Sequence, residues 1–120
     1  MKDNVISFEN FERAVMNKFL EVKSPEKKIL LQQYQKTKVE NRWFSGVGFF
    51  TTFSVPEGVA HLSRSTHITG VSGKVNDTAV GFMLLIKDGI LKFLEGYTFG
   101  NDPWPDKITS YELRYADFDQ

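Results

Sequence analysis

The stretch VGFMLLIKDGILKFLEGY, residues 80–97, decides the fold, because it holds the strongest local signal in the chain. Two apolar runs of strand length flank the dipeptide Asp88-Gly89. This dipeptide suits a two-residue type I′ turn, since both positions of that turn need positive φ angles. We therefore predict a β-hairpin that reverses direction at Asp88-Gly89.

Closing the hairpin at this turn determines which residues lie opposite each other. With simple alternation, the predicted pairs are Lys87 with Ile90, Ile86 with Leu91, Leu84 with Phe93, and Phe82 with Glu95. One face then holds Val80, Phe82, Leu84, Ile86, Leu91, Phe93 and Tyr97, nearly all apolar, together with Glu95. On the second face Gly81 falls opposite Gly96, which predicts a bare patch where a bulky side chain could sit.

The first third of the chain has the pattern of two helices. Ser7 is a candidate N-cap for the first helix, whose apolar stripe consists of Phe8, Phe11, Val15 and Phe19. The second helix begins with Ser24 as its cap and Pro25 at the first helical position. Its predicted inward side chains are Ile29, Leu30 and Tyr34.

From about residue 43 onward the apolar period changes to two, which is typical of strands. This pattern predicts one strand over residues 47–55 that ends at Pro56, and a last strand over residues 108–118. It also predicts a weaker strand over residues 67–75, because two glycines interrupt this segment. Two helices followed by about five strands indicate an α+β fold, with the helices packed on one face of a mostly antiparallel sheet. Short turns favour a meander, and 120 residues favour a single domain over residues 1–120.

The composition restricts the class of protein. Hydrophobic residues make up 41% of the chain and charged residues 25%, as in ordinary globular proteins. The chain has no cysteine, so disulfides and thiolate metal sites are excluded. No segment has the pattern of a signal peptide or a membrane span, so we expect a cytoplasmic protein that does not contact membranes. The glycines match neither GxxxxGK[ST] nor GxGxxG, and we expect no cofactor.

Charge is balanced overall but unevenly distributed. The chain has 15 basic and 15 acidic residues, whereas residues 88–120 hold seven acidic residues against three basic ones. The absence of a dense cationic stripe predicts that the protein does not bind nucleic acid. An acidic carboxyl-terminal third is compatible with plain solvation or with a basic partner.

Glu95, His61 and His67 form the candidate catalytic set. In the predicted register Glu95 points to the apolar face, where burial would raise its pKa as a general acid requires. Pairing, loop hydrogen bonds or a bulge at Gly96 would instead give Glu95 a structural role. The two histidines of HLSRSTH could take part in acid–base chemistry, or lie in a surface loop or at a strand edge. A small hydrolase or ligand-binding domain requires all three side chains to converge on one pocket; no metal-binding motif accompanies them.

The segment NDPWPD is the most unusual local feature. Pro103 and Pro105 restrict the backbone around Trp104 and hold it in a stiff, extended conformation. A rigid exposed tryptophan is a strong binding anchor, and Asp102 and Asp106 frame it here. In the other interpretation Trp104 folds back and seals the bottom of the sheet.

The order of these motifs resembles a group of small bacterial proteins that share a TGVGFFT-F-VP-like strand, an acidic-Gly turn and the signature LEGYTYG…PWP. The matching residues are Gly46, Val47, Gly48, Phe49, Phe50, Thr51, Val55, Pro56, Gly81, Phe82, Asp88, Gly89, Leu94, Glu95, Gly96, Tyr97, Pro103, Trp104 and Pro105. The resemblance covers roughly residues 45–106. Ser45 replaces the more usual threonine, and Asn101-Asp102 lengthens the approach to Pro103.

The resemblance implies a function, because some proteins of this group are immunity proteins of contact-dependent growth-inhibition toxin systems. It predicts a non-enzymatic protein that binds and neutralises a toxin domain, which in some systems is a nuclease. Steric and electrostatic occlusion would be its mechanism, and the candidate partner-binding residues are Asp102, Trp104, Asp106, Asp117 and Asp119. A homodimer formed through a sheet edge or face is a further alternative, and monomer or homodimer stays undecided.

Overall fold

Two capped helices form the amino-terminal part of the molecule. In the computed structural model, which describes residues 4–21 and 23–116, α1 spans Phe8–Leu20 and α2 spans Pro25–Lys36. The Ser7 hydroxyl accepts a hydrogen bond from the Asn10 N–H, and the Ser24 hydroxyl accepts one from the Lys27 N–H, both at 3.1 Å. Both predicted caps are confirmed.

Within the described residues, seven strands form one antiparallel sheet. They are β1 (Lys38–Phe44), β2 (Gly48–Ser54), β3 (Thr66–Ile68), β4 (Val71–Val75), β5 (Thr78–Lys87), β6 (Ile90–Thr98) and β7 (Tyr111–Tyr115). The order across the sheet is β1-β2-β6-β5-β4-β7, and β3 also pairs with β5. The α+β class is confirmed, whereas the estimate of about five strands was too low and the meander was wrong.

Two features of the sheet differ from the prediction. The predicted strand over residues 67–75 is divided into β3 and β4 at Gly70, whose φ is +110°. An added Cβ at this glycine would lie 2.5 Å from the Ala116 carbonyl oxygen, so the chain approaches closely there. The meander fails because β6 pairs with β2, which places the β5–β6 hairpin between strands distant in sequence.

The β5–β6 hairpin has the predicted turn but a different register. Asp88 and Gly89 have φ angles of +54° and +79°, as a type I′ turn requires. Lys87 lies opposite Ile90 and Ile86 opposite Leu91, as predicted, but the register then shifts, because Leu85 lies opposite Phe93. One additional residue of β6, Lys92, therefore forms a β-bulge.

The bulge exchanges the two faces of β6 beyond Lys92. Leu84 pairs with Leu94, Met83 with Glu95, Phe82 with Gly96, and Gly81 with Tyr97. Leu94 and Gly96 consequently face the core, whereas Phe93, Glu95 and Tyr97 face away from it. The predicted inward positions of Phe93, Glu95 and Tyr97 were therefore wrong.

The predicted bare glycine patch does not form. Gly96 lies on the core side, where an added Cβ would be 2.2 Å from Cε1 of Phe49. Gly81 lies on the other side, and the Tyr97 ring covers it with Cζ 2.8 Å from the position of such a Cβ. Each glycine thus admits an aromatic ring from a neighbouring strand.

The core lies between the helices and one face of the sheet, which we call the inner face. Phe11 of α1 packs against Phe82 and Tyr111 at centroid distances of 5.9 and 5.4 Å. From α2, the buried Gln33 donates hydrogen bonds to the carbonyl oxygens of Ala60 and Gly89 and accepts one from the Leu91 N–H. Gln33 thereby ties α2 to the hairpin turn, a role that its sequence neighbourhood did not indicate.

Candidate functional site

The face of the sheet opposite the helices carries several aromatic side chains. Trp43, Phe50, Glu95 and Met83 lie side by side on four adjacent strands, so their side chains project to the same side. Further residues on this side are Phe93, Leu85 and His67 in a second cross-strand row and Tyr97 in a third. We name Trp43, Phe50, Phe93, Tyr97 and Phe99 the aromatic face.

The rings of the aromatic face form two contacting groups, and no element within residues 4–21 and 23–116 covers them, since both helices pack on the inner face. Centroid distances are 5.9 Å for Trp43–Phe50, 5.6 Å for Phe50–Phe93 and 5.7 Å for Tyr97–Phe99. Trp43 and Phe99 are 57% and 50% exposed. Large exposed apolar patches of this kind mark interaction sites in globular proteins.

Glu95 is the carboxylate in the middle of this surface. Phe50 and Met83 flank it on the adjacent strands, and Phe93 and Tyr97 are its neighbours on the same side of β6. Burial among these side chains raises the pKa of Glu95. Within the described residues, Glu95 has no hydrogen-bond or ion-pair partner for its carboxylate.

We expect Glu95→Gln to stabilise the fold at neutral pH by about 0.5 kcal/mol, the scale of a change at a partly exposed site. The folded-state pKa of Glu95 lies above its ordinary value of 4.5. Between these two pKa values the folded protein therefore binds more protons than the unfolded chain. The free energy of unfolding therefore falls as pH rises from the ordinary pKa through the folded-state pKa of Glu95. Glutamine at this position removes that loss of stability. Urea unfolding at pH 4 and pH 7 measures the difference in free energy of unfolding between Glu95→Gln and the unsubstituted protein. This difference should be smaller at pH 4.

A matched control is Glu112→Gln, because Glu112 is an exposed carboxylate on β7 opposite Lys74. Its substitution should leave the free energy of unfolding unchanged or slightly lower at pH 7. A destabilised Glu95→Gln variant at pH 7 would contradict the argument from burial.

The candidate catalytic residues do not converge. His67 shares the outer side with Glu95 but lies two strands away, about 10 Å by strand spacing. His61 precedes Leu62, whose N–H donates to the Gly89 carbonyl at the hairpin turn, and Glu95 is about 20 Å further along β6 by strand rise. The pocket required by the hydrolase hypothesis is therefore not assembled from these three side chains.

Residues 4–21 and 23–116 contain no group of three or more histidine or carboxylate side chains that could hold a metal ion. Within the same ranges, neither α1 nor α2 is long and apolar enough to cross a membrane.

The Pro-Trp-Pro segment takes the second of its two predicted arrangements. Trp104 is only 9% exposed; its ring packs on Phe49 and Phe11 at 5.2 and 6.1 Å, and its backbone N–H donates to the Gly46 carbonyl at 2.8 Å. The expectation of an exposed tryptophan anchor is thereby corrected, because the inner face of the sheet buries the ring.

The acidic residues proposed for partner binding are only partly described. Asp102 and Asp106 are exposed on either side of the buried tryptophan. The carbonyl of Asp102 accepts a hydrogen bond from the Thr98 hydroxyl at 2.5 Å, and the same hydroxyl contacts the Val47 carbonyl, so Asp102 lies beside the β1–β2 turn. Asp117 and Asp119 lie outside the described residues.

A buried polar cluster on the inner face is the feature that sequence reasoning missed. Glu12 of α1 is 4% exposed and accepts hydrogen bonds from Arg42 Nε at 3.1 Å, from Arg42 Nη2 at 2.8 Å, and from the Thr51 hydroxyl. The hydrogen bond to Glu12 raises the pKa of Arg42, and burial, followed by the charge of Glu12, raises the pKa of Tyr34. The periodicity around Arg42 had not predicted β1, so this contact could not be anticipated.

This cluster borders a cavity of about 720 Å³ between α1, α2 and β1. Both carboxylate oxygens of Glu12 are already occupied by Arg42 and Thr51, so the cluster has the arrangement of a structural ion pair. The aromatic face, by contrast, presents uncovered rings and a carboxylate without a partner in the described chain, and it is therefore the candidate functional site.

Comparisons with known proteins found no match among protein-family models, curated proteins or solved structures.

Proposed function

We propose that this protein is a non-enzymatic binding protein that docks a partner protein on the aromatic face. The observation that carries the proposal is the set of five aromatic side chains on the side of the sheet opposite the helices, with Trp43 and Phe99 at least half exposed. Tryptophan and tyrosine dominate the binding energy of protein interfaces, because they bury a large area at little cost in conformational entropy.

The size and rigidity of this surface support a protein partner. A standard interface needs about 800 Å² per partner, roughly a tenth of the surface of a small protein. The aromatic face spans three adjacent strands, β1, β2 and β6, whose backbone hydrogen bonds fix the positions of Trp43, Phe50, Phe93 and Tyr97, so little ordering is required on binding.

The finer proposal is that the partner is a toxin domain, which the protein neutralises by occlusion as an immunity protein. The resemblance of residues 45–106 to a group of small bacterial proteins, some of which are immunity proteins, supports it. Asp102 and Asp106 are exposed near the β1–β2 turn, at the end of the sheet where Trp43 also lies, and can meet a basic toxin surface.

The decisive experiment is titration calorimetry with a candidate toxin domain encoded by a neighbouring gene, together with growth rescue on co-expression. We expect Trp43→Ala to weaken binding about 30-fold, the equivalent of a 2 kcal/mol hot spot. Phe44→Ala is the matched control, because Phe44 is adjacent in sequence and 52% exposed but packs against Phe8 on the inner face. It should leave affinity unchanged.

Three outcomes would count against this proposal. Absence of binding and of growth rescue would remove the immunity function. Equal losses for Trp43→Ala and Phe44→Ala would remove the aromatic face as the docking surface. If Asp102→Asn and Asp106→Asn leave the salt dependence of binding unchanged, the electrostatic contribution is wrong.

A further inference from the structure

Resting on the proposed function, we infer that Glu95 and the aromatic side chains around it form a socket for one arginine side chain of the partner protein. The socket is the outward surface of β6 between Phe93 and Tyr97, with Phe50 on β2 and Met83 on β5 as its lateral walls. This assigns Glu95 a binding role that differs from the acid–base role of the hydrolase hypothesis.

The register of the sheet defines the dimensions of the socket. Directly opposite side chains such as Phe50 and Glu95 have Cβ atoms about 5 Å apart. Phe93 and Tyr97 are two residues away on the same side of β6, about 7 Å along the strand. A group bound to the Glu95 carboxylate is therefore within van der Waals reach of aromatic rings on at least two sides.

Arginine fits this arrangement better than a neutral or anionic group. A guanidinium can donate two parallel hydrogen bonds to one carboxylate and at the same time stack on an aromatic ring. Its cation is also attracted to the ring faces, and it gives up hydration more readily than an ammonium group. The partner would thus supply the positive charge that Glu95 lacks.

The described part of the chain offers the Glu95 carboxylate no hydrogen-bond or ion-pair partner. Among the residues paired in the three outward cross-strand rows, the basic side chains are His67 on β3 and Arg114 on β7. Arg114 is three strands from β6, about 14 Å by strand spacing, and His67 is two strands away. The carboxylate consequently meets solvent and aromatic rings within the described structure.

The same geometry disfavours a second copy of the chain as the occupant. A twofold axis through the aromatic face would place two Glu95 carboxylates near each other between two layers of aromatic side chains. Like charges in such a setting are unfavourable, since neither carboxylate would gain a counter-charge on dehydration.

The test uses N-acetyl-arginine N-methylamide as the probe and its citrulline isostere as the neutral control, with amide shifts of the full chain followed by NMR. We expect saturable shifts at Phe93, Glu95 and Tyr97 with the arginine probe, with a dissociation constant in the millimolar range typical of a single side chain. Citrulline should bind at least about tenfold more weakly, because the ion pair is lost.

Glu95→Gln should reduce binding of the arginine probe by at least about tenfold, whereas Glu112→Gln, an equal charge change on β7, should not. Equal shifts with both probes, or an unchanged affinity in Glu95→Gln, would overturn the inference. So would sedimentation that shows a dimer whose formation is lost in Trp43→Ala.

The two proposals fail in different ways. If Trp43→Ala weakens binding of the toxin domain but Glu95→Gln leaves binding of the arginine probe unchanged, the arginine socket is wrong and the aromatic face remains the docking surface. If the arginine probe binds at Glu95 but Trp43→Ala leaves the affinity for the toxin domain unchanged, the socket stands and the proposed function is wrong.

Discussion

Trp104→Ala is expected to lower the free energy of unfolding by about 3–5 kcal/mol, the range for removal of a buried large aromatic side chain. The ring lies in edge-to-face contact with Phe49 and Phe11, and two prolines hold the backbone that carries it. Truncation would leave a cavity that Phe49 can fill only in part, because Gly96 already admits its ring against the strand. Urea unfolding followed by far-UV circular dichroism measures the loss.

Trp43→Ala is the matched control, since the chain has just two tryptophans and they differ in exposure, 57% for Trp43 and 9% for Trp104. We expect this control to cost less than about 1 kcal/mol, the value of a cross-strand aromatic pair. Trp43 should therefore affect binding and Trp104 should affect stability. A loss below about 1 kcal/mol for Trp104→Ala would contradict its place in the core.

The turn at Asp88-Gly89 was predictable because its chemistry is local: two adjacent positive φ angles favour this dipeptide. The bulge at Lys92 was not, because β6 has apolar residues at both parities, with Leu91 and Phe93 in one set and Ile90 and Leu94 in the other. Strict alternation would bury Glu95, whereas the bulge allows Leu91 and Leu94 to face the core together. The cost of burying an unpaired carboxylate was the signal that favours the bulged register.

The aromatic face and the ion pair were beyond sequence reasoning for a different reason. β1 has a largely polar sequence, KVENRWF. It forms a strand because it pairs with β2 and because Arg42 donates hydrogen bonds to Glu12, a residue thirty positions earlier in the chain. Such contacts depend on the strand order, which local periodicity does not encode. Once β1 is placed at the edge, its alternation explains why Trp43 projects outward while Arg42 and Phe44 lie on the inner side.

Arg42→Met is expected to lower the free energy of unfolding by about 3 kcal/mol, the lower end of the range for breaking a buried ion pair. The substitution leaves the Glu12 carboxylate, 4% exposed, with the Thr51 hydroxyl but without its two charged hydrogen bonds. Arg42 itself is 26% exposed, so solvent moderates the loss. Urea unfolding at neutral pH gives the value.

Arg64→Met is the control for removal of an arginine as such. Arg64 pairs with Glu26 at 3.1 Å, but both side chains are at least half exposed, so water and salt screen the interaction. We expect a change of less than about 0.5 kcal/mol. The contrast between the two arginines isolates the effect of burial.

A double-mutant cycle separates the ion pair from simple packing. If Glu12 and Arg42 act as a unit, Glu12→Met combined with Arg42→Met should recover about 2 kcal/mol or more relative to the sum of the single variants, because no buried charge is left unpaired. Additive single losses would show that the two side chains contribute independently. In that case Glu12 would be available to bind a group in the adjacent cavity between α1, α2 and β1, and the structural role assigned to the Glu12–Arg42 pair would be wrong.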